Sequence, residues 1–260
     1  MKGFLLFFLA PLFPLAAFWA GNPAQPALEN SGIIHKSPEW WSFRLSYIGD
    51  YVYKQRFLDE FPLPGNTVTS TYIRLWTQAG MLTLNFRDRI DLYAILGGTR
   101  LDIDNDVTTS QQLSWGFGGK LIILREGRFH VGVDLKYFQT NQSPQYFLSE
   151  GAPYNIMSDF HFDYSEIQAS LGIAYRTKYV SPYATASYLM SKLSPTPLVS
   201  LVRLPTDDTL VDVVSKSVLG RRRWGLVLGA TLVDKQKATL SLEWRTFNQN
   251  SIDLMGEVQF

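Results

Sequence analysis

The chain has no cysteine among its 260 residues, so disulfides, zinc–thiolate sites and thiol nucleophiles are excluded. Long hydrophobic runs are also missing. Beyond the N-terminus nothing approaches the roughly 20 apolar residues that a spanning helix needs. With 46% hydrophobic residues and a mean hydropathy of −0.04, a multi-helix membrane protein is excluded. A barrel that crosses with strands is not, because only every second residue of such a strand meets lipid. An excess of one charge is lacking too: the formal net charge is +1, which points to no nucleic-acid partner. Histidine is scarce, and none of His35, His130 and His161 lies in a nucleophile motif such as G-x-S-x-G. His130 reads as structural. No catalytic residue, cofactor site or metal site is assigned, and the chain reads as a non-enzyme. Asp102, Asp104 and Asp106 have EF-hand-like spacing, but the twelfth position is Leu113 rather than Glu, which favours a solvated acidic loop.

Aromatic residues are abundant, at 14% with 7 Trp and 13 Tyr. Amphipathic rings at bilayer interfaces explain such an excess, and a well-filled soluble β core is the alternative. Met1 to Ala17 reads as a cleaved secretory signal, with Lys2, an apolar core Phe4–Phe13 and a small residue at its end. Residues 18–40, rich in Pro, form a periplasmic leader or a segment lying in a lumen, with Gly32-Ile33-Ile34 a candidate extra strand.

From Trp41 to Phe260 the pattern is alternation with a period of two, which separates two faces of a strand. The cleanest case is Phe129–Tyr137, where Phe129, Val131, Val133, Leu135 and Tyr137 oppose His130, Gly132, Asp134 and Lys136. Similar strands are expected over Ser42–Lys54, Thr69–Phe86, Ile90–Gly98, Leu113–Ile123 and Ser165–Tyr175. Others follow at Pro182–Met190, Trp224–Leu232, Leu240–Trp244 and Ser251–Phe260. A bulge near Gly80 is expected to slip the register of the second strand. Val199–Leu204 and Leu210–Ser217 read either as a hairpin or as part of one long loop. The connections alternate long and short, the asymmetry of an outer-membrane barrel with tight periplasmic turns and longer outer loops. A soluble sandwich has no reason to sort its loops in this way. The fold class is therefore all-β, a transmembrane antiparallel β-barrel of about 10–12 strands with periplasmic termini, spanning residues 41–260.

Several stretches together resemble the chlamydial major outer membrane porin family. They include Gly21-Asn22-Pro23-Ala24-Gln25-Pro26-Ala27-Leu28, Gly49-Asp50-Tyr51-Val52-Tyr53 and Leu96-Gly97-Gly98-Thr99. Further along come Asp163-Tyr164-Ser165-Glu166-Ile167-Gln168-Ala169-Ser170-Leu171, Gly229-Ala230-Thr231-Leu232-Val233-Asp234 and the terminal Val258-Gln259-Phe260. The resemblance implies an envelope porin of the bacterial outer membrane, with outer loops that meet host surfaces. Family members are typically cysteine-rich and disulfide-linked, and this chain departs from them in having no cysteine. It is also shorter, so the family's larger strand number does not carry over directly.

The polar face carries Arg44, Asp50, Lys120, Asp134, Lys136, Glu166, Arg176, Glu243, Arg245 and Glu257, the candidate pore-lining residues, together with Lys54, Asp91 and Asp253. The two signs are similar in number, which implies weak charge selectivity in a conducting lumen. Barrels of about eight strands are filled by side chains and those of 16 or more are open. Ten to twelve lies between, so two readings stand. The resemblance favours the first, a porin passing small hydrophilic solutes and ions. The other is a non-conducting surface barrel acting in adhesion or envelope structure through its outer loops. The partners expected are outer-membrane lipids and lipopolysaccharide, with Arg221-Arg222-Arg223 a candidate contact for lipid phosphates. Homo-oligomerisation is left open.

Overall fold

A computed structural model describes residues 21–25, 40–57, 72–103, 107–149, 152–154, 161–196, 199–203, 210–214, 217–234 and 238–260. The signal segment, Gly32-Ile33-Ile34, Asp104, Asp106 and the Pro205–Asp208 turn lie outside the described residues.

Ten strands form the wall: β1 (Trp41–Arg56), β2 (Tyr72–Phe86), β3 (Ile90–Ile103), β4 (Gln112–Glu126), β5 (Phe129–Gln142), β6 (His161–Tyr175), β7 (Val180–Thr196), β8 (Trp224–Asp234), β9 (Ala238–Thr246) and β10 (Gln249–Gln259). Each pairs antiparallel with its sequence neighbours. The ring closes where β10 pairs with β1, Leu45 opposite Val258 and Tyr51 opposite Ile252. Closure gives every wall strand a neighbour on both sides, which is the condition for crossing a bilayer with strands.

Both ends of the wall, β1's start and β10's finish, lie at the end of the tight turns. At the first of these, Arg87 (φ 50°) and Asp88 (φ 52°) both adopt left-handed backbone, and Arg89 N–H donates to the Phe86 carbonyl at 3.0 Å. This is the twist-matched geometry of a hairpin turn, reached here without glycine. Gly127 (φ 54°) serves the same purpose between β4 and β5.

The outer end is more irregular. Val107–Thr109 pairs antiparallel with the end of β3 and with Pro144–Ser149, which pairs with Ala152–Tyr154. Val199–Arg203 and Leu210–Val214 do form a hairpin, but it pairs only with itself. It adds nothing to the wall, so the strand number is ten rather than twelve.

Three expectations about facing and length are corrected. β2 has no slip at Gly80: it pairs with β3 in unbroken register from Ile73 to Phe86. Ile73, Leu75, Ala79 and Met81 therefore point inward, and Arg74 lies on the opposite face. The irregularity is instead in β1, between Val52 and Gln55. It turns Gln55 inward and Lys54 out, with the Lys54 ammonium 4.4 Å from the Tyr72 ring centre. Finally, β3, β5 and β7 continue past Gly98, Tyr137 and Met190, where the hydrophobic alternation fades but the backbone pairing persists.

Candidate functional site

The interior of the barrel is built by the inward half of each alternation. Leu45, Leu82, Leu92, Leu121, Leu135, Leu171, Leu228 and Leu242 stand exposed on the outside. Aromatic residues gather toward the ends of the strands. The Tyr51 and Trp76 rings stack at 5.1 Å, and Phe129 lies 5.0 Å from Tyr175. An apolar band between aromatic residues suits a hydrocarbon layer with polar interfaces on both sides.

Of the sequence-derived candidates, Arg44, Asp50, Lys120, Asp134, Lys136, Glu166, Glu243, Arg245 and Glu257 all lie on the inner face, each no more than 3% exposed. They are held in pairs. The Arg44 guanidinium bridges Asp91 and Glu257, with Nη1 3.1 Å from Glu257 Oε1. Arg245 sits among three carboxylates: Nη2 is 2.9 Å from Asp50 Oδ2, and Nε is 2.8 Å from Asp253 Oδ2 and 3.2 Å from Glu243 Oε1. Lys136 Nζ lies 3.0 Å from Glu166 Oε1. Tyrosines complete the network, Tyr93 donating to Asp134 at 2.7 Å and Tyr183 to Glu243 at 2.7 Å. A buried charge is stable only when paired and hydrogen-bonded, which is why these groups occur as clusters.

Arg176 is set apart from the others. It follows the last residue of β6, at the tight-turn end, where its N–H donates to the Arg128 carbonyl at 2.7 Å. Burial lowers its proton affinity, the neighbouring Arg125 adds to the effect and Asp88 opposes it. With Lys54 turned outward on β1 and Arg176 beyond the end of β6, carboxylates outnumber cations on the described inner face. Asp50, Asp91, Asp134, Glu166, Glu243, Asp253 and Glu257 face Arg44, Lys120, Lys136 and Arg245. The balanced lining read from the sequence becomes an acid-rich one.

Two further features fill the interior, the second of them within the 18–40 stretch, whose alternatives are a periplasmic leader and a lumen segment. The first is an apolar layer toward the outer end, where Ile48, Val52, Phe57, Ile73, Leu75, Leu101, Phe138, Phe162, Leu193 and Val218 form one buried cluster. The second is a stretch of chain. Asn22, Ala24 and Gln25 are fully buried, and Gln25 Nε2 donates to Glu257 Oε1 at 2.7 Å. The segment also reaches β5 and β6: a Cβ on Gly132 would collide with the Pro23 carbonyl, and one on Gly172 would crowd the Pro23 ring as well as the Thr185 hydroxyl. Residues Gly21–Gln25 thus cross the lumen between β5–β6 and β10. The one signal in the sequence is the pair of inward glycines, Gly132 and Gly172, opposite one another in the β5–β6 register.

Among the described residues no group of His, Asp and Glu is arranged to hold a metal ion. Asp102, from the acidic loop, is bound by Arg100, whose Nε lies 3.1 Å from Asp102 Oδ1.

A closed antiparallel barrel with an apolar exterior, a polar interior and its turns sorted by length is a transmembrane β-barrel of the bacterial outer membrane. The chain's resemblance to the chlamydial major outer membrane porins holds along its whole length. It is 21% identical to the major outer membrane porin, serovar F, of Chlamydia trachomatis, with 100% of this chain and 99% of that protein covered. It is 20% identical to the major outer membrane porin of Chlamydia pneumoniae, with 95% of each covered. The serovar F alignment spans 392 positions against the 260 residues here, so much of the relative's length faces gaps. No protein-family model matches the chain. Similar solved structures include the translocator domain of autotransporter NalP from Neisseria meningitidis (TM-score 0.48, 9% identity, 86% of this chain and 89% of that one). Another is the outer membrane protein OprG from Pseudomonas aeruginosa (TM-score 0.41, 11% identity, 85% and 95%).

Proposed function

We propose that this protein is a narrow, closed outer-membrane barrel that presents its outer loops at the cell surface, rather than a standing diffusion pore. The observation that carries the reading is the state of the interior. Arg44, Asp50, Lys136, Arg245 and Glu257 are each at most 1% exposed, and the segment Gly21–Gln25 is buried among them. The side chains of a water-filled channel would be wet. The strand number agrees, since ten is close to the roughly eight strands at which side chains fill the bore. The relatives, named as porins, fit a non-enzymatic protein.

A second reading, passive diffusion of small hydrophilic solutes and ions, is favoured by those same names. It requires the Gly21–Gln25 segment and the apolar layer around Ile73 and Leu101 to move aside. In that state the acid-rich lining would favour cations rather than giving weak selectivity.

Planar-bilayer recording of the purified, heat-modifiable barrel separates the two. The closed reading expects a folded protein that inserts without discrete conductance steps. Reproducible steps would overturn it in favour of the pore, and a reversal potential shifted toward cations would then identify the lining. In that case Lys120→Glu or Lys136→Glu should raise the cation preference.

A further inference from the structure

The described surface carries a concavity of about 460 Å³ outside the lumen, at the outer end of β8. Its lining divides by chemistry: Arg222 and Arg223 form one side, and Trp224, Gly225, Leu226 and Phe247 form the other. We propose that it is a binding site for a phosphorylated outer-leaflet lipid of the lipid A class. The phosphate would lie against the Arg222 and Arg223 guanidiniums and an acyl chain along Trp224 and Leu226.

Several observations converge on that occupant. The arginines are fixed at the wall by backbone bonds rather than carried on a free loop. Arg221 N–H donates to the Arg56 carbonyl of β1 at 2.8 Å, and Leu189 N–H of β7 to the Arg223 carbonyl at 2.7 Å. No described carboxylate forms an ion pair with Arg222 or Arg223. Arg223, an exposed residue, donates from Nη1 to Tyr188 Oη at 3.0 Å, which orients its planar head. The same tyrosine packs edge-on against Trp224 at 5.1 Å, so the cationic and aromatic walls are held by one residue.

The floor is apolar and accessible, with Trp224 69% and Phe247 60% exposed. The concavity also lies where the wall is low, since β8, β9 and β10 are shorter than β7. Facing the boundary between headgroups and hydrocarbon, it is cationic toward the headgroups and apolar toward the acyl chains. A phosphorylated lipid has the complementary polarity, and arginine forks match phosphate oxygens in pairs. A soluble anion would match only the upper wall, and an acyl chain without phosphate only the lower.

The test is native mass spectrometry of the full-length barrel released from detergent after incubation with bis-phosphorylated lipid A, and with the same lipid after phosphatase treatment. The site predicts one retained phosphorylated lipid per chain, at least about tenfold weaker retention by Arg222→Gln/Arg223→Gln, and weak retention of the dephosphorylated lipid. Trp224→Ser, which keeps the charge, should also weaken retention. Heat-modified mobility on gels establishes that each variant is folded. Equal retention by wild type and the double Gln variant would overturn the proposal. So would displacement of the lipid by inorganic phosphate alone, which would mark a site for free anions. The outcome does not depend on whether the lumen conducts.

Discussion

Arg245 of β9 reaches past its neighbour β10 to the carboxylate of Asp50 on β1, at 2.9 Å, and so ties the strands on either side of the last one. With Glu243 and Asp253 also within 3.2 Å of its guanidinium, this one cation offsets three buried carboxylates. Arg245→Met should therefore lower stability by about 3–5 kcal/mol, the usual result of stranding buried charge. Asp50→Asn in the Arg245→Met background should restore part of the loss, because it removes one of the stranded charges. Urea midpoints of refolding into lipid, compared in a double-mutant cycle, test both statements. Additive losses would mean that the pair is not coupled.

The lumen segment can be followed with a single thiol, because the native chain has no cysteine. Ala24→Cys, fully buried in the lumen, should resist a bulky maleimide in the folded barrel. Adding Gly132→Val puts a side chain where the Pro23 carbonyl lies, and should displace the segment and expose the thiol. Rapid labelling of Ala24→Cys alone, in protein shown to be folded, would mean that Gly21–Gln25 does not rest inside.

Leu171 on β6 lies opposite Val133 on β5, and Val133 opposite Leu121 on β4; Leu171 and Leu121 are exposed on the outer face. Leu171→Arg places a charge against hydrocarbon and should cost about 2–4 kcal/mol at the membrane midplane. The same change in a water-solvated face would cost little. Equilibrium unfolding from phospholipid vesicles reads the difference.

Asp88 gives a pH signature at the turn outside the membrane. Its partial burial raises the carboxyl above its ordinary value, with the nearby Arg125 and Arg44 opposing. The folded state thus holds that proton more tightly than the unfolded chain. Between the ordinary aspartate value and the raised one, stability contributed by this group falls as pH rises. Asp88→Asn should stabilise the barrel at neutral pH, with the advantage shrinking as pH falls through the raised value and gone below the ordinary one of about 3.9. A pH-independent gain would instead be assigned to the left-handed backbone at Asp88, which asparagine tolerates well.

Read from the sequence, the inside and outside of most strands were legible, because facing depends only on odd or even position. Asp134 and Lys136 inward, with Leu135 outward, needed nothing beyond the order of residues in β5. Loop lengths likewise disclosed the up-and-down order and put both ends of the wall on the tight-turn side. Lys54 shows where this local rule fails. One irregularity in β1 reversed its facing, and a bulge is a property of two paired strands rather than of one.

What only the tertiary structure decided is the number of strands that close and what fills them. The Val199–Arg203 hairpin has strand character but meets no wall strand, and alternation cannot distinguish pairing within a loop from pairing within the ring. Inward leucines and isoleucines on β2 and β3 look misplaced in a strand read alone. They make sense once ring closure narrows the bore enough for opposite walls to pack. The burial of Gly21–Gln25 is of the same kind: its contacts lie up to 232 residues away along the chain, and no local pattern encodes a distance set by the diameter of a closed sheet.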